Sequence, residues 1–190
     1  MKLLVLDNYD SFTYNLVHMF RSMNIDHEVY RNNKISPEEA LSFDLIILSP
    51  GPGIPSEAGN MGKIIAACAG KKPILGICLG HQAIAEYLGA KLNNMSSVYH
   101  GVKNKINILS NEEIFEGIPE EIEVGRYHSW EVVSEGLPEN ISVTAEDENG
   151  TIMALSDASQ KLYGIQFHPE SVMTEYGEEM IQNFLKIAKS

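Results

Sequence analysis

Up to about residue 90 the chain alternates unbroken apolar runs with segments whose apolar residues recur every three or four positions. Lys2 to Leu6, Glu28 to Arg31, Asp44 to Ser49 and Pro73 to Ile77 have strand length, and most carry little polar alternation. Between them, Phe12 to Met23 has helical periodicity with Ser11 available as a cap, and Glu57 to Ala69 has it again. Ser36-Pro37-Glu38-Glu39 is a capping box with proline at the first helical position. Continuous strands separated by helices predict a parallel sheet covered on both faces, since an exposed face would show as alternation. After residue 95 the pattern turns to β. Val98 to Leu109, Ile122 to Val133 and Ile141 to Ala145 read as strands. Glu148-Asn149-Gly150-Thr151 carries the Asn-Gly signal of a tight hairpin. Thr151 to Leu155 and Lys161 to Phe167 complete an antiparallel portion. Glu178 to Ala188 closes the chain as an amphipathic helix with Met180, Ile181, Phe184 and Leu185 on one face.

No repeat or linker interrupts this order, and 190 residues with 44% apolar content suit one domain spanning 1–190 with an ordinary core. The apolar runs fall well short of the roughly 20 residues a membrane helix needs. Met1-Lys2 leads straight into a strand without a signal-peptide pattern, so a soluble cytoplasmic protein is expected. A formal charge of −12 excludes the clustered cations that nucleic-acid binders use, and it reads as a solubility device. The two cysteines, Cys68 and Cys78, make no disulfide framework. Without C-x-x-C or H-E-x-x-H, no metal or other cofactor is expected. Cys68 sits in a small apolar helical surface and reads as a buried hydrophobe.

Cys78 differs. Gly76-Ile77-Cys78-Leu79-Gly80-His81-Gln82 follows an apolar strand and opens into Ala83 to Leu88, a helical stretch. A strand, a sharp glycine-flanked turn and a helix place the sulfur at an apex, where the helix N-terminus favours thiolate. Far downstream, the strand Tyr163 to Phe167 runs into His168-Pro169-Glu170-Ser171. If that segment is extended, His168 and Glu170 face the same side. Cys78, His168 and Glu170 then supply a nucleophile, a base and a group that orients the base. Asp7, Pro50 to Gly53, Cys78 and His168 each follow a predicted strand, at the end where ligands bind in such sheets.

Gly76 to Gln82 together with Phe167 to Ser171 resembles the class I, or triad, glutamine amidotransferases. Leu48 to Gly59 is similar to that family's oxyanion loop. Asp7-Asn8-Tyr9-Asp10-Ser11-Phe12-Thr13-Tyr14-Asn15-Leu16 resembles the subgroup serving chorismate-using enzymes, the small subunits of anthranilate synthase and aminodeoxychorismate synthase. The resemblance covers essentially the whole chain. It implies an α/β, flavodoxin-like, mostly parallel sheet with helices on both faces plus a smaller antiparallel β portion. It also implies glutamine hydrolysis through a Cys78 thioester, with ammonia passed to a chorismate-binding large subunit to which any magnesium requirement would fall.

For the oxyanion, Leu79 N–H is the first donor, as the residue after the nucleophile. Pro52 has no N–H, so the second must be a glycine amide, and the resemblance selects Gly51. Gly51, Pro52 and Gly53 are then expected at the glutamine site. Gln82 joins them because it lies one helical turn after Cys78. The resemblance adds Ser129 and Trp130 through backbone groups, although Trp130 stands where a smaller aliphatic residue is usual and packing is its competing role. His81 and His128 read as hydrogen-bonded structural histidines. Tyr99-His100-Gly101 reads as part of a partner-facing loop. Competing readings are the glutaminase subunit of GMP synthetase, a free γ-glutamyl or peptide cysteine hydrolase, and a regulatory subunit without activity.

Overall fold

The computed structural model describes residues 1–96, 98–110 and 112–188. Its first half alternates β1 (Leu3–Asp7), α1 (Thr13–Ser22), β2 (His27–Arg31), α2 (Pro37–Ala40), β3 (Leu45–Leu48), α3 (Met61–Cys68), β4 (Ile74–Ile77) and α4 (Leu79–Tyr87). The second half holds β5 (Leu92–Asn94), β6 (Val102–Ile108), β7 (Glu121–Arg126), β8 (Trp130–Val132), β9 (Ser142–Asp147), β10 (Ile152–Asp157) and β11 (Leu162–Ile165), and closes with α5 (Gly177–Ile187). One nine-stranded sheet runs in the order β2-β1-β3-β4-β11-β10-β9-β6-β7, with β5 and β8 as a separate two-stranded ribbon.

β1 pairs in parallel with β2 and β3, and β4 with β3 and β11. The sequence explains why. In β1, Leu3 and Val5 enter one core with Leu16 and Phe20 of α1 and Met180, Ile181 and Phe184 of α5. Leu4 and Leu6 enter the opposite core with Ile64 and Ile65 of α3 and Ile84 of α4. A strand buried on both faces needs every residue apolar, which is the unbroken pattern observed.

The antiparallel strands extend this same sheet. β11 is antiparallel to β10 and parallel to β4, so it joins the two halves instead of belonging to the antiparallel part alone. The strand expected over Ile122 to Val133 is broken. Arg126 pairs with Val102 in the large sheet and Trp130 with Asn94 in the ribbon, so Tyr127, His128 and Ser129 cross between them. The strand expected from Val98 begins at Val102. The helix expected over Glu57 to Ala69 splits into a 3₁₀ turn, Pro55–Glu57, and α3, with Gly59 at φ +56° between them.

The Ser36 capping box forms as predicted. Ser11 does not cap α1. Asp10 accepts from Phe12 N–H at 2.7 Å, and Asp7 accepts from the Thr13 hydroxyl at 3.0 Å, so carboxylates settle this helix start. At the Asn-Gly hairpin between β9 and β10, Gly150 takes φ +76°, and Asp147 accepts from the Asn149 and Thr151 N–H groups at 2.9 Å each. Among the described residues no helix is long and apolar enough to cross a membrane.

Candidate active site

Cys78 stands between β4 and α4 at φ 51°, ψ −98°. L-residues avoid this region, at a cost of order 1–3 kcal/mol, so neighbours must hold it. Two glycines make that possible. A Cβ on Gly76 would lie 2.3 Å from the Gly80 carbonyl carbon and oxygen, and one on Gly80 would lie 2.7 Å from Leu48 Cβ and O. Only hydrogen fits at either place, and the first turn of α4 thereby closes onto β3 and β4. Cys78 N–H donates to Ile165 O at 2.9 Å, which ties the turn to the strand leading to His168.

His168 and Glu170 meet as expected, but for a different reason. β11 ends at Ile165, and the chain from Pro169 turns, with Ser171 N–H donating to His168 O at 3.2 Å. Adjacency therefore comes from a turn and not from the two-residue repeat of an extended segment. His168 Nδ1 lies 2.7 Å from Glu170 Oε1, and both side chains are buried. The backbone is fixed from both sides. His168 N–H donates to Gly125 O at 3.1 Å, and the Thr174 hydroxyl donates to His168 O at 2.6 Å. Phe12 and Tyr127 rings flank the imidazole, each at a centroid distance of 4.8 Å. Burial draws the His168 pKa down, but the Cys78 sulfur and the Glu170 carboxylate overcome it and push it up to about 10. With Nδ1 engaged by Glu170, Nε2 is the nitrogen left for the sulfur.

The loop after β3 approaches from the other side. A Cβ on Gly51 would lie 2.6 Å from both Asn8 Cβ and Leu79 Cδ2, so this glycine is pressed between the β1 loop and the cysteine turn. Its position is held from behind. Ser49 Oγ accepts from Asn8 N–H at 2.9 Å and donates to Pro50 O at 2.8 Å. Asn8 Nδ2 donates to Ser49 O at 2.8 Å, and Asn32 Nδ2 donates to Asn8 Oδ1 at 3.0 Å. Pro52 and Gly53 form the exposed outer turn of the loop, with Gly53 at φ +76°.

Gln82, on the first turn of α4, reaches the start of β8. Gln82 Nε2 donates to Trp130 O at 3.1 Å and to Gln166 Oε1 at 3.2 Å. Ser129 O accepts from Met95 N–H at 2.8 Å. His128 Nδ1 is 2.8 Å from Trp130 O, and its Nε2 accepts from Arg126 Nε at 3.1 Å. Arg126 is fully buried, paired with Asp147 at 2.6 Å and covered by the Tyr99 ring at 3.7 Å. Tyr99 thus faces inward, while His100 is exposed. Burial and the neighbouring Arg126 charge lower the His128 pKa to about 4. Burial lowers that of His81, packed on Gly164, to about 3. Both rings are neutral at pH 7. Cys68 is buried on α3, where desolvation raises its thiol pKa and leaves it a poor nucleophile.

Asn8, Phe12, Arg126, Tyr127 and Gln166 join the site without a role expected from the motifs. A signal existed for Gln166, an amide inside an otherwise apolar strand pattern. Arg126 and Tyr127 gave none, because their partners come from distant segments. Among the described residues no cluster of three or more His, Cys, Asp or Glu side chains could hold a metal.

Residues 4–188 match the family described as glutamine amidotransferase class-I. The chain is 42% identical over 191 residues to anthranilate synthase component 2 of Pseudomonas aeruginosa, covering 97% of this chain and 94% of that one. It is also 42% identical over 186 residues to aminodeoxychorismate/anthranilate synthase component 2 of Bacillus subtilis (strain 168), covering 97% and 95%. A crystal structure from Thermoplasma acidophilum, described as one subunit of a GMP synthase, superposes with a TM-score of 0.89 at 30% identity, over 100% of this chain and 94% of that one.

Proposed function

The chain belongs to the class-I glutamine amidotransferases, and we propose that within this family it is the glutaminase subunit of a chorismate-using synthase. The observation that carries the chemistry is the buried His168–Glu170 pair beside a cysteine held at φ 51°. Cys78 Sγ, as thiolate, attacks the carboxamide carbon of glutamine. The negative charge that develops on the carboxamide oxygen falls to the Leu79 and Gly51 N–H groups, an arrangement worth about 3–4 kcal/mol per donor in comparable enzymes. The C–N bond then breaks, and the proton held on His168 goes to the departing nitrogen, which leaves as ammonia. Water, deprotonated by the now neutral His168, adds to the thioester. Collapse of that adduct releases glutamate and the Cys78 thiolate, with the proton taken from the water still on the ring. Glu170 keeps the ring oriented and stabilises its charged form throughout. Gln82, Ser129 and Trp130 hold the amino-acid end of glutamine.

The assignment to a chorismate enzyme is supported by relatives named as second components of anthranilate and aminodeoxychorismate synthases. Such a component delivers ammonia to a chorismate-binding large subunit, which is the partner this reading requires. The test is glutamine hydrolysis by the chain alone, and with each candidate large subunit from the same genome plus chorismate. Formation of anthranilate or aminodeoxychorismate from glutamine with one of them is the expected result. The close superposition on part of a GMP synthase favours a second reading. Stimulation by the synthetase partner of a GMP synthase, and by no chorismate enzyme, would replace the first reading with the second.

A further inference from the structure

The ribbon of β5 and β8 presents Trp130 in a particular way. Met95 N–H donates to Ser129 O and Val133 N–H to Lys91 O, so Asn94 and Trp130 are an opposed pair without mutual hydrogen bonds. The N–H and C=O of Trp130 therefore both point away from β5, on the side of Gln82. Two donors already reach the C=O, His128 Nδ1 and Gln82 Nε2. A carbonyl oxygen has two lone pairs, so this one has nothing left to offer a ligand. What remains on that side is the Trp130 N–H, a donor, and Gln82 Oε1, an acceptor. The amide orientation follows from the same contact, because only its nitrogen can donate to a carbonyl.

The histidine is equally constrained. A guanidinium can only donate, so His128 Nε2 must be the bare nitrogen that accepts from Arg126, and the proton must sit on Nδ1, facing Trp130 O. Arg126 is locked in turn by Asp147 and the Tyr99 ring, and Tyr99 also stacks on His128 at 5.4 Å. The chain of contacts thus runs from a buried ion pair, through one tautomer, to the strand that lines the site.

We propose that His128 is a positioning residue for the substrate. Acting through the Trp130 carbonyl, it holds the Trp130 N–H and Gln82 Oε1 at the spacing that receives the α-carboxylate and α-ammonium of an amino acid, and Arg126 fixes the tautomer required. This rests on the reading of the site as a glutamine site.

Two reagents that alkylate Cys78 separate the possibilities. Iodoacetamide has no amino-acid head, whereas 6-diazo-5-oxo-L-norleucine carries the head of glutamine. In His128→Leu, assayed with the large subunit bound, glutamine KM should rise roughly tenfold with little change in kcat, the loss of about one positioning hydrogen bond. Inactivation by the diazoketone should slow by the same factor, and inactivation by iodoacetamide should not change. His128→Asn, whose amide nitrogen falls near the Nδ1 position, should restore most of the loss. His128→Gln, whose nitrogen falls near Nε2, should not, and this pair carries the test if the leucine variant does not fold. Equal slowing with both reagents, or an unchanged KM in His128→Leu and His128→Gln, overturns the proposal. Failure of the glutamine reading would show differently, as a wild-type Cys78 that iodoacetamide alkylates and the diazoketone does not, and the proposal would fall with it.

Discussion

The parallel half of the sheet and its antiparallel extension build the site by opposite means. β1, β3 and β4 are apolar and buried on both faces, and they contribute the ends of strands where a loop or turn holds Gly51 and Cys78. β6 is largely exposed, and its lysines pair across to Glu121 and Glu123 at the surface. Yet β7 ends in Arg126, a fully buried charge paired with Asp147, and the connection on to β8 carries His128, whose ring meets the Trp130 carbonyl that Gln82 also reaches. In the first region packing positions the chemistry. In the second, a chain of hydrogen bonds does, and each link is worth something only while its partner is present.

The largest effect belongs to the parallel half. Cys78→Ser should reduce glutamine hydrolysis by roughly 10⁴-fold or more, since a neutral hydroxyl replaces the thiolate, with the thermal midpoint nearly unchanged. Retained hydrolysis would remove Cys78 from the mechanism. Glu170→Gln comes next, at roughly 10²-fold or more in rate, because a neutral amide replaces the carboxylate that stabilises the protonated ring. It also has a signature in pH. The folded His168 pKa is raised from 6.5 to about 10, so the stability its contacts lend is complete below 6.5 and is lost as pH rises through 10. Removing the carboxylate lowers that upper value. The alkaline limb of the activity profile should move to lower pH by about 1 pH unit or more. An unmoved limb would mean that another group sets it.

Arg126→Met tests the antiparallel half. It leaves Asp147 buried without its cation, and chemical denaturation should show a loss of about 3–5 kcal/mol. Two glycines of the parallel half give the next contrast. Gly76→Ala drives a methyl into the Gly80 carbonyl and should cost about 3 kcal/mol. Gly62→Ala, in α3 with nothing within 4 Å of the added Cβ, should stabilise the protein by at most about 1 kcal/mol. The smallest change belongs to Lys103→Gln, which breaks an exposed cross-strand pair with Glu123 and should leave the denaturation midpoint where it is. Equal losses in Arg126→Met and Lys103→Gln would erase the distinction between the buried chain and the surface pairs.

What could be read in advance follows the same division. The doubly covered strands, the capping box at Ser36 and the turn around Cys78 are written in consecutive residues, the strands as unbroken apolar runs that burial on both faces requires, the cap and the turn as motifs of near neighbours. The break at Tyr127 to Ser129 was hidden. A strand that leaves one sheet for another keeps its apolar pattern, and only its pairing partners change. Ser11 misled for a related reason. It is a good capping residue placed beside two carboxylates that reach the helix start better. The motif pairs His168 with Glu170 through a turn and not through an extended segment, since a turn delivers two-apart residues to each other as readily as a strand does.

By itself the sequence determined an α/β sheet with apolar strands, a cysteine at a strand-to-helix turn, and a histidine and glutamate downstream, because periodicity and local motif specify these without reference to distant residues. Tertiary structure alone decided that Phe12 and Tyr127 flank His168, that Asn8 and Ser49 hold the loop of Gly51, and that Asp147 reaches through Arg126 and His128 to Trp130. Those contacts join residues far apart in the chain, and burial gives them their strength. No local pattern encodes either the distance or the burial.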